Sequence, residues 1–167
     1  MQNEGSTGTR RYRQSAGRCY EDFNLGDVYE HRPGRTITET DNIWFTLLTM
    51  NTHPAHFDNA YAAKTEFKQA LVNSCLTLSM VVGMSVSDVS QKAVGNLGWG
   101  DIKLTAPVFV GDTIYAESEV ISKRESASRP TQGIVTVRTV GKKSDGVQFM
   151  SFERTILVPK RGHDIDY

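Results

Sequence analysis

The chain predicts an α+β domain in which an antiparallel sheet curls round one long helix. Two observations carry this. The run FKQALVNSCLTLSMVVGMS, from Phe67 to Ser85, contains no proline and few charges, and its apolar residues occupy several faces, which describes a helix buried nearly all round. From Leu97 onward the hydrophobic period changes to two, and strands that follow directly on one another pair antiparallel. A sequence of 167 residues suits one domain and is long enough to bury a core without staples.

Residues 1–18 are polar, with Gly, Ser, Thr and Arg and no hydrophobic period, so they are expected to form a flexible tail ahead of a single domain over 19–167. Arg10, Arg11 and Arg13 come without the apolar stretch of a secretory signal. A short extended segment is expected over Val28 to Ile37, interrupted by a turn at Pro33-Gly34. Thr38 stands three residues ahead of Asp41, the spacing of a capping box. Ile43, Trp44, Leu47 and Leu48 then mark one face of a helix, which Pro54 stops before about Thr52. Asp58 can cap a short helix over Ala60 to Ala63, after which the long apolar run begins.

In the strand region Ile114, Ala116, Ser118 and Val120 alternate with Tyr115, Glu117 and Glu119. Met150, Phe152, Ile156 and Val158 share one face of the last segment, and Arg154 falls on that face too. Gly111-Asp112, Arg129-Pro130 and Asp145-Gly146 punctuate the strands as turns, the last being a strong hairpin signal.

Composition excludes several classes of function. The 19 basic and 19 acidic residues cancel, which removes the electrostatic case for nucleic acid or an anionic membrane as partner. No apolar run reaches the length of a bilayer span. Cys19 and Cys75 have no metal spacing and are expected to be reduced thiols in a cytoplasmic protein. There is no G-x-S-x-G elbow, no Walker loop and no G-x-G-x-x-G fingerprint.

The stretch with chemistry in it is NTHPAHFD, residues 51–58. His53 and His56 are three apart, but Pro54 lies between them and no further ligand stands nearby apart from Asp58, so no metal is expected. Acid–base chemistry remains. An imidazole can take a proton from water at cytosolic pH, and the loop lies just before the long helix, whose N-terminal amides can stabilise a developing oxyanion. The competing reading is that both imidazoles only cap helix ends.

The order N-x-H-P-A-H-F-D, then A, then E-F, then L-V-N-S resembles the MaoC-like (R)-specific enoyl-CoA hydratases, whose signature runs roughly D-x-N-P-L-H-x-D followed by A…FG…I-x-H-G. APVFVGDTIYAESEV, from Ala106 to Val120, is similar to the strand pair that follows there, and the likeness extends from about Thr36 to Val158. RESASRPTQGIV resembles the subgroup near mesaconyl-CoA and itaconyl-CoA hydratases. The resemblance implies a hot-dog fold, a homodimer or higher homo-oligomer, and reversible hydration of a trans-2-enoyl-CoA to a 3-hydroxyacyl-CoA. For the subgroup it implies a branched or dicarboxylic acyl chain. It implies no metal or nucleotide cofactor, coenzyme A entering only as part of the substrate.

By the same resemblance His56 matches the family histidine that holds and deprotonates water, while Pro54 and Asp58 match the positions that shape its loop. Asn51 stands where the family has aspartate; an amide can orient water but cannot take its proton at neutral pH. The two-group mechanism therefore reduces to His56 as the titrating group, with Asn51 positioning the water. Ser74 takes the place of the family glycine whose amide binds the thioester oxygen, and Asn73 replaces the histidine before it. His53, in place of the family asparagine, either shares the acid–base role, meets a substrate carboxylate or has no consequence. Arg129 either grips a CoA phosphate or substrate carboxylate or is a solvated turn residue. Two other functions remain open on such a scaffold: an acyl-CoA thioesterase and a non-catalytic acyl-CoA-binding protein.

Overall fold

A computed structural model describes residues 16–165. Five antiparallel strands form one sheet: β1 (Val28–Thr36), β2 (Gly95–Leu104), β3 (Thr113–Glu125), β4 (Gln132–Lys143) and β5 (Gln148–Pro159). Their order across the sheet is β1-β3-β4-β5-β2, so β3, β4 and β5 make a meander and the two earlier strands flank it. Three α-helices precede β2: α1 (Glu39–Leu48), α2 (Asn59–Ala62) and α3 (Ser74–Met84). A π-helical turn over Val86–Ser90 continues from α3. The α+β architecture matches the expectation.

Of the expected tail, residues 1–15 lie outside the described residues. Its last part is docked, with Gly17 N donating to Ser87 O at 2.8 Å and Arg18 Nη1 to Asp88 O at 2.7 Å. β1 carries a register shift between His31 and Arg35, at the Pro33-Gly34 turn. Gly34 is required there because a Cβ would stand 2.4 Å from the Tyr115 ring.

The capping box forms as expected. Thr38 Oγ1 accepts from Asp41 N at 3.2 Å, and Asp41 Oδ2 accepts from Thr38 N at 2.9 Å. The apolar face of α1, however, looks outward. Trp44, Leu47 and Leu48 are 75, 54 and 83 % exposed, whereas Asn42 and Thr46 are buried. The helix also stops earlier than the proline required. Met50 adopts φ +60°, Met50 N donates to Leu47 O and Asn51 N to Thr46 O, both at 3.0 Å, a Schellman closure that satisfies the terminal carbonyls. Pro54 instead opens the 3-10 turn Pro54–His56, where its missing N–H costs nothing.

The long helix expected over Phe67 to Ser85 is shorter. Lys68 has φ +58° and residues 71–72 run extended, Leu71 bridging to Phe109 and Val72 N donating to Val108 O at 2.9 Å. Asn73 then caps α3, its Oδ1 accepting from Cys75 N at 2.9 Å. Only one side of α3 is buried. Leu76, Thr77 and Val81 face the sheet, while Ser74, Cys75, Ser79 and Gly83 are exposed. Cys75, expected inside an apolar helix, is therefore at the surface.

The period-two pattern was a sound guide to the sheet. Ile114, Ala116, Ser118 and Val120 all face inward, as do Met150, Phe152, Arg154, Ile156 and Val158. Two clusters fill the core. Val72, Leu76 and Val81 pack on Ile114, Phe149 and Phe152 near α3, and Phe23, Val89, Val120, Val135, Val137 and Ile156 fill the other end. Each such side chain contributes roughly 1.5–3 kcal/mol by leaving water.

Candidate active site

Tertiary structure brings the residues 51–58 loop against the start of α3. Because α1 ends in a Schellman closure, Asn51 leaves the helix with its side chain folded back. Its Oδ1 accepts from His53 N at 3.0 Å, an Asx turn. His53 caps the 3-10 turn, its Nδ1 accepting from Ala55 N at 3.2 Å. Its ring stands 5.9 Å from that of His56 and 6.1 Å, edge to face, from Tyr61. Asp58 caps α2 by accepting from Tyr61 N at 2.9 Å, one residue earlier than expected.

His56 is half-buried, and its Nδ1 lies 2.8 Å from Leu71 O. A backbone carbonyl only accepts, so Nδ1 must carry the proton. The neutral ring then has its lone pair on Nε2. That is the arrangement a general base needs, held by a partner that cannot itself take the proton.

The same few residues fix the helix end. Leu71, Val72 and Asn73 lead straight into Ser74, whose N–H is the first of α3 and has no intrahelical acceptor. A cavity of about 330 Å³ opens beside it. Its wall is mostly apolar, including Phe67, Leu71, Pro107, Val108 and Phe149, with Ser74 and Thr77 on the helix side. An apolar pocket with a few polar groups at a helix N-terminus suits an acyl thioester whose carbonyl oxygen gains charge.

Sequence reasoning missed Asn42. Its side chain is 1 % exposed and joins three site segments: Nδ2 donates to His56 O at 2.8 Å and to Leu71 O at 3.1 Å, and Oδ1 accepts from Asn73 N at 2.9 Å. Asn73 in turn donates through Nδ2 to Thr46 Oγ1 at 3.2 Å. The available signal was two polar residues at i, i+4 on the side of α1 opposite its apolar stripe.

Arg129 is not part of this assembly. It sits in the β3–β4 turn, Nη1 donating to Gln132 Oε1 at 3.5 Å, beside Leu97 and Leu157. Leu157 and the cavity residue Phe149 are on the same strand, eight residues and about 27 Å of extended chain apart.

A second polar cluster involves His31. Nδ1 donates to Asp88 Oδ2 at 2.9 Å and Nε2 accepts from Ser118 Oγ at 2.8 Å, which leaves Thr139 Oγ1 to donate to Ser118 at 2.8 Å. Burial pulls His31 below the ordinary imidazole range, against the raising effect of Asp88 and with Arg154 and Arg18 adding to the fall. Burial would raise Asp88, but hydrogen bonds from His31 and Arg18 outweigh it and hold the carboxyl below its usual range. Arg154, 1 % exposed, donates to Ser85 Oγ at 2.8 Å and is lowered by burial to about 10, so it stays charged at neutral pH. Ser118, His31 and Asp88 have the connectivity of a nucleophile, base and orienting acid. Ser118 and His31 are, however, 0 % exposed, so no substrate can reach the hydroxyl or the ring and the cluster is structural.

Among the described residues no helix is long and apolar enough to cross a membrane, and no three His, Cys, Asp or Glu side chains group as metal ligands.

A family model described as mesaconyl-CoA hydratase matches residues 6–165. A mesaconyl-CoA hydratase of Cereibacter sphaeroides is 34 % identical over 147 residues, covering 88 % of this chain and 43 % of the relative. An (R)-specific enoyl-CoA hydratase of Rhodospirillum rubrum is 32 % identical over 131 residues, covering 77 % of this chain and 84 % of the relative. Among solved structures, a Mycobacterium tuberculosis protein described as having a double hot-dog fold superposes with a TM-score of 0.81 at 21 % identity, covering 90 % of this chain and 47 % of that one. The chain thus spans less than half the length of several curated relatives it matches, between 41 and 43 %. With a family match over almost its whole length and the sheet and helix of a hot-dog unit, this chain belongs to the mesaconyl-CoA hydratase family.

Proposed function

We propose that this chain reversibly hydrates a trans-2-enoyl-CoA thioester to a 3-hydroxyacyl-CoA, with a branched or dicarboxylic acyl group as in the relatives' names. The observation that carries this is the Nδ1–H of His56 held on Leu71 O, three residues before the first amide of α3 and its apolar cavity. In this reading the thioester oxygen sits at Ser74 N–H. His56 Nε2 takes a proton from water as its oxygen bonds to C3, the electron pair moves to the thioester as an enolate, and the imidazolium returns a proton to C2. One group serving both steps gives addition from one face. Asn51 contributes the second lone pair of its Oδ1 and its amide N–H groups to the water, which an amide can orient without titrating. His53, exposed on the same loop, is proposed to meet the polar end of an acyl chain. Arg129 contributes to this chain's own site only if a CoA phosphate reaches the far end of β5. No metal or nucleotide cofactor enters this chemistry.

The working form is proposed to be a homodimer or higher homo-oligomer. β2 is an edge strand with Leu97, Trp99, Ile102 and Leu104 between 46 and 58 % exposed, and α1 turns Trp44, Leu47 and Leu48 outward. An uncovered apolar edge of this kind needs a cover, and the relatives' double length points to a second hot-dog unit. An acyl-CoA substrate and the free thiols Cys19 and Cys75 support a cytoplasmic setting.

Crotonyl-, mesaconyl- and itaconyl-CoA followed at the enoyl-thioester absorbance test the reading. Loss of the band without thiol release supports it. Thiol release identifies a thioesterase, and binding without turnover identifies an acyl-CoA-binding protein, an outcome that Asn51 in place of an acid favours.

A further inference from the structure

We propose that Asn42 is a positioning residue that sets the proton-shuttling histidine and the oxyanion-binding amide in one fixed relation. The inference rests on the proposed function for what those two groups do, but its geometry stands independently. The Asn42 carboxamide uses both ends. Its Nδ2 holds the His56 carbonyl and the Leu71 carbonyl, at 2.8 and 3.1 Å, and its Oδ1 holds the Asn73 amide at 2.9 Å. Leu71 O is therefore shared: it accepts from Asn42 and also from His56 Nδ1. The donation from Asn42 aims that carbonyl, and the carbonyl selects the tautomer that leaves Nε2 free. The bond to Asn73 N fixes the residue that caps α3 and, one position on, the Ser74 amide.

The setting makes this a designed arrangement rather than a stray buried amide. α1 turns its apolar side outward and buries Asn42 and Thr46, one turn apart, against the loop and the cap. Every bond of the carboxamide goes to the backbone of the 56–73 region. Buried and fully partnered, Asn42 cannot rotate without breaking the contacts of both groups at once.

Asn42→Asp preserves the shape and the acceptor for Asn73 N but removes both donations; Asn42→Ala removes all three. Val135→Ala, in the core cluster away from the site, supplies a loss of buried packing outside the site as a control. Three readouts are compared at low temperature, where each variant is folded: kcat and KM for the best enoyl-CoA, the melting temperature, and the ring nitrogen spectrum of 15N-histidine-labelled protein. In the wild type His56 must show the Nδ1–H tautomer; the opposite tautomer overturns the proposal before any variant is made. The expected result is a fall in kcat of roughly 10-fold or more in both Asn42 variants with KM within about twofold, and a His56 ring that averages over its tautomers. Val135→Ala lowers the melting temperature and leaves kcat and the ring spectrum as they were. Folded Asn42 variants with the wild-type ring pattern and kcat would overturn the inference. A wild type that hydrates no enoyl-CoA removes the proposed function instead, while the ring spectra still decide whether Asn42 sets the tautomer.

Discussion

Two histidines in this chain are held through Nδ1 at almost the same distance, 2.8 Å for His56 and 2.9 Å for His31, and their surroundings could hardly differ more. His31 has the partly exposed Asp88 on one nitrogen and the buried Ser118 on the other, and its own ring lies inside the core. His56 has a neutral carbonyl on one nitrogen and an open position on the other, at the mouth of a loop. Taken as side-chain chemistry alone, His31 looks like the more potent base, since it has a carboxylate behind it and a hydroxyl in front. Access reverses that ranking. A proton-transfer group must reach its substrate, and a ring with no exposed surface cannot.

The sharpest break of this comparison is His56→Ala. Losing a general acid–base group should lower kcat by roughly 10²–10⁴-fold, while stability changes by about 1 kcal/mol for the lost bond to Leu71. Steady-state hydration kinetics beside a urea melt check it; a variant that retains full kcat ends the proposed role. His31→Ala should do the reverse. It leaves Ser118 buried beside a cavity and strips Asp88 of a partner, a loss of roughly 3 kcal/mol, while kcat of the folded protein stays within about twofold. If activity collapses in fully folded protein, the buried cluster takes part in the chemistry after all.

A smaller effect follows from pH. In the unfolded chain an imidazole takes up its proton around pH 6.5, whereas burial moves the His31 uptake lower. Between those values the unfolded state binds more protons, so the contribution of His31 to stability is complete above about pH 6.5 and declines as pH drops toward the folded value. Asp88 has the depressed carboxyl, so its contribution persists above about pH 3.9 and is lost as pH falls through its lower folded value. Denaturant midpoints measured from pH 7.5 to 5 should fall in the wild type and fall less in His31→Gln. The smallest effect belongs to Arg129→Ala, which sits in a solvated turn far along β5. It should leave both kcat and stability unchanged, and a raised KM for acyl-CoA would show that a phosphate does reach that end.

Much of the fold was legible because it is written in local periodicity. The inward set of β3 and β5, the Thr38–Asp41 box and the Asp58 cap each depend on residues within one turn or one pleat of each other. The family signature likewise lies in one short loop, which is how His56 and Asn51 came forward. The misjudged elements involve distance in sequence. The helix expected from Phe67 begins only at Ser74 because residues 71–72 have extended partners at 108–109, some 37 residues away. The apolar stripe of α1 marked one face of a helix without saying where that face points. It points outward and the polar side is buried, because the His56 loop and the α3 cap offer Asn42 hydrogen bonds that no neighbour on the helix announces.

By itself, then, the sequence determined which segments are strands and caps, which family the chain resembles and which loop carries a titratable group. Those follow from side-chain period, capping geometry and a motif eight residues long. Only the tertiary structure decided which histidine is accessible, which nitrogen of His56 carries its proton, and that Asn42 ties the loop to the helix end. Those depend on which backbone carbonyls and amides folding brings within 3 Å, and a hydrogen bond between residues 42 and 73 leaves no trace in the spacing of either.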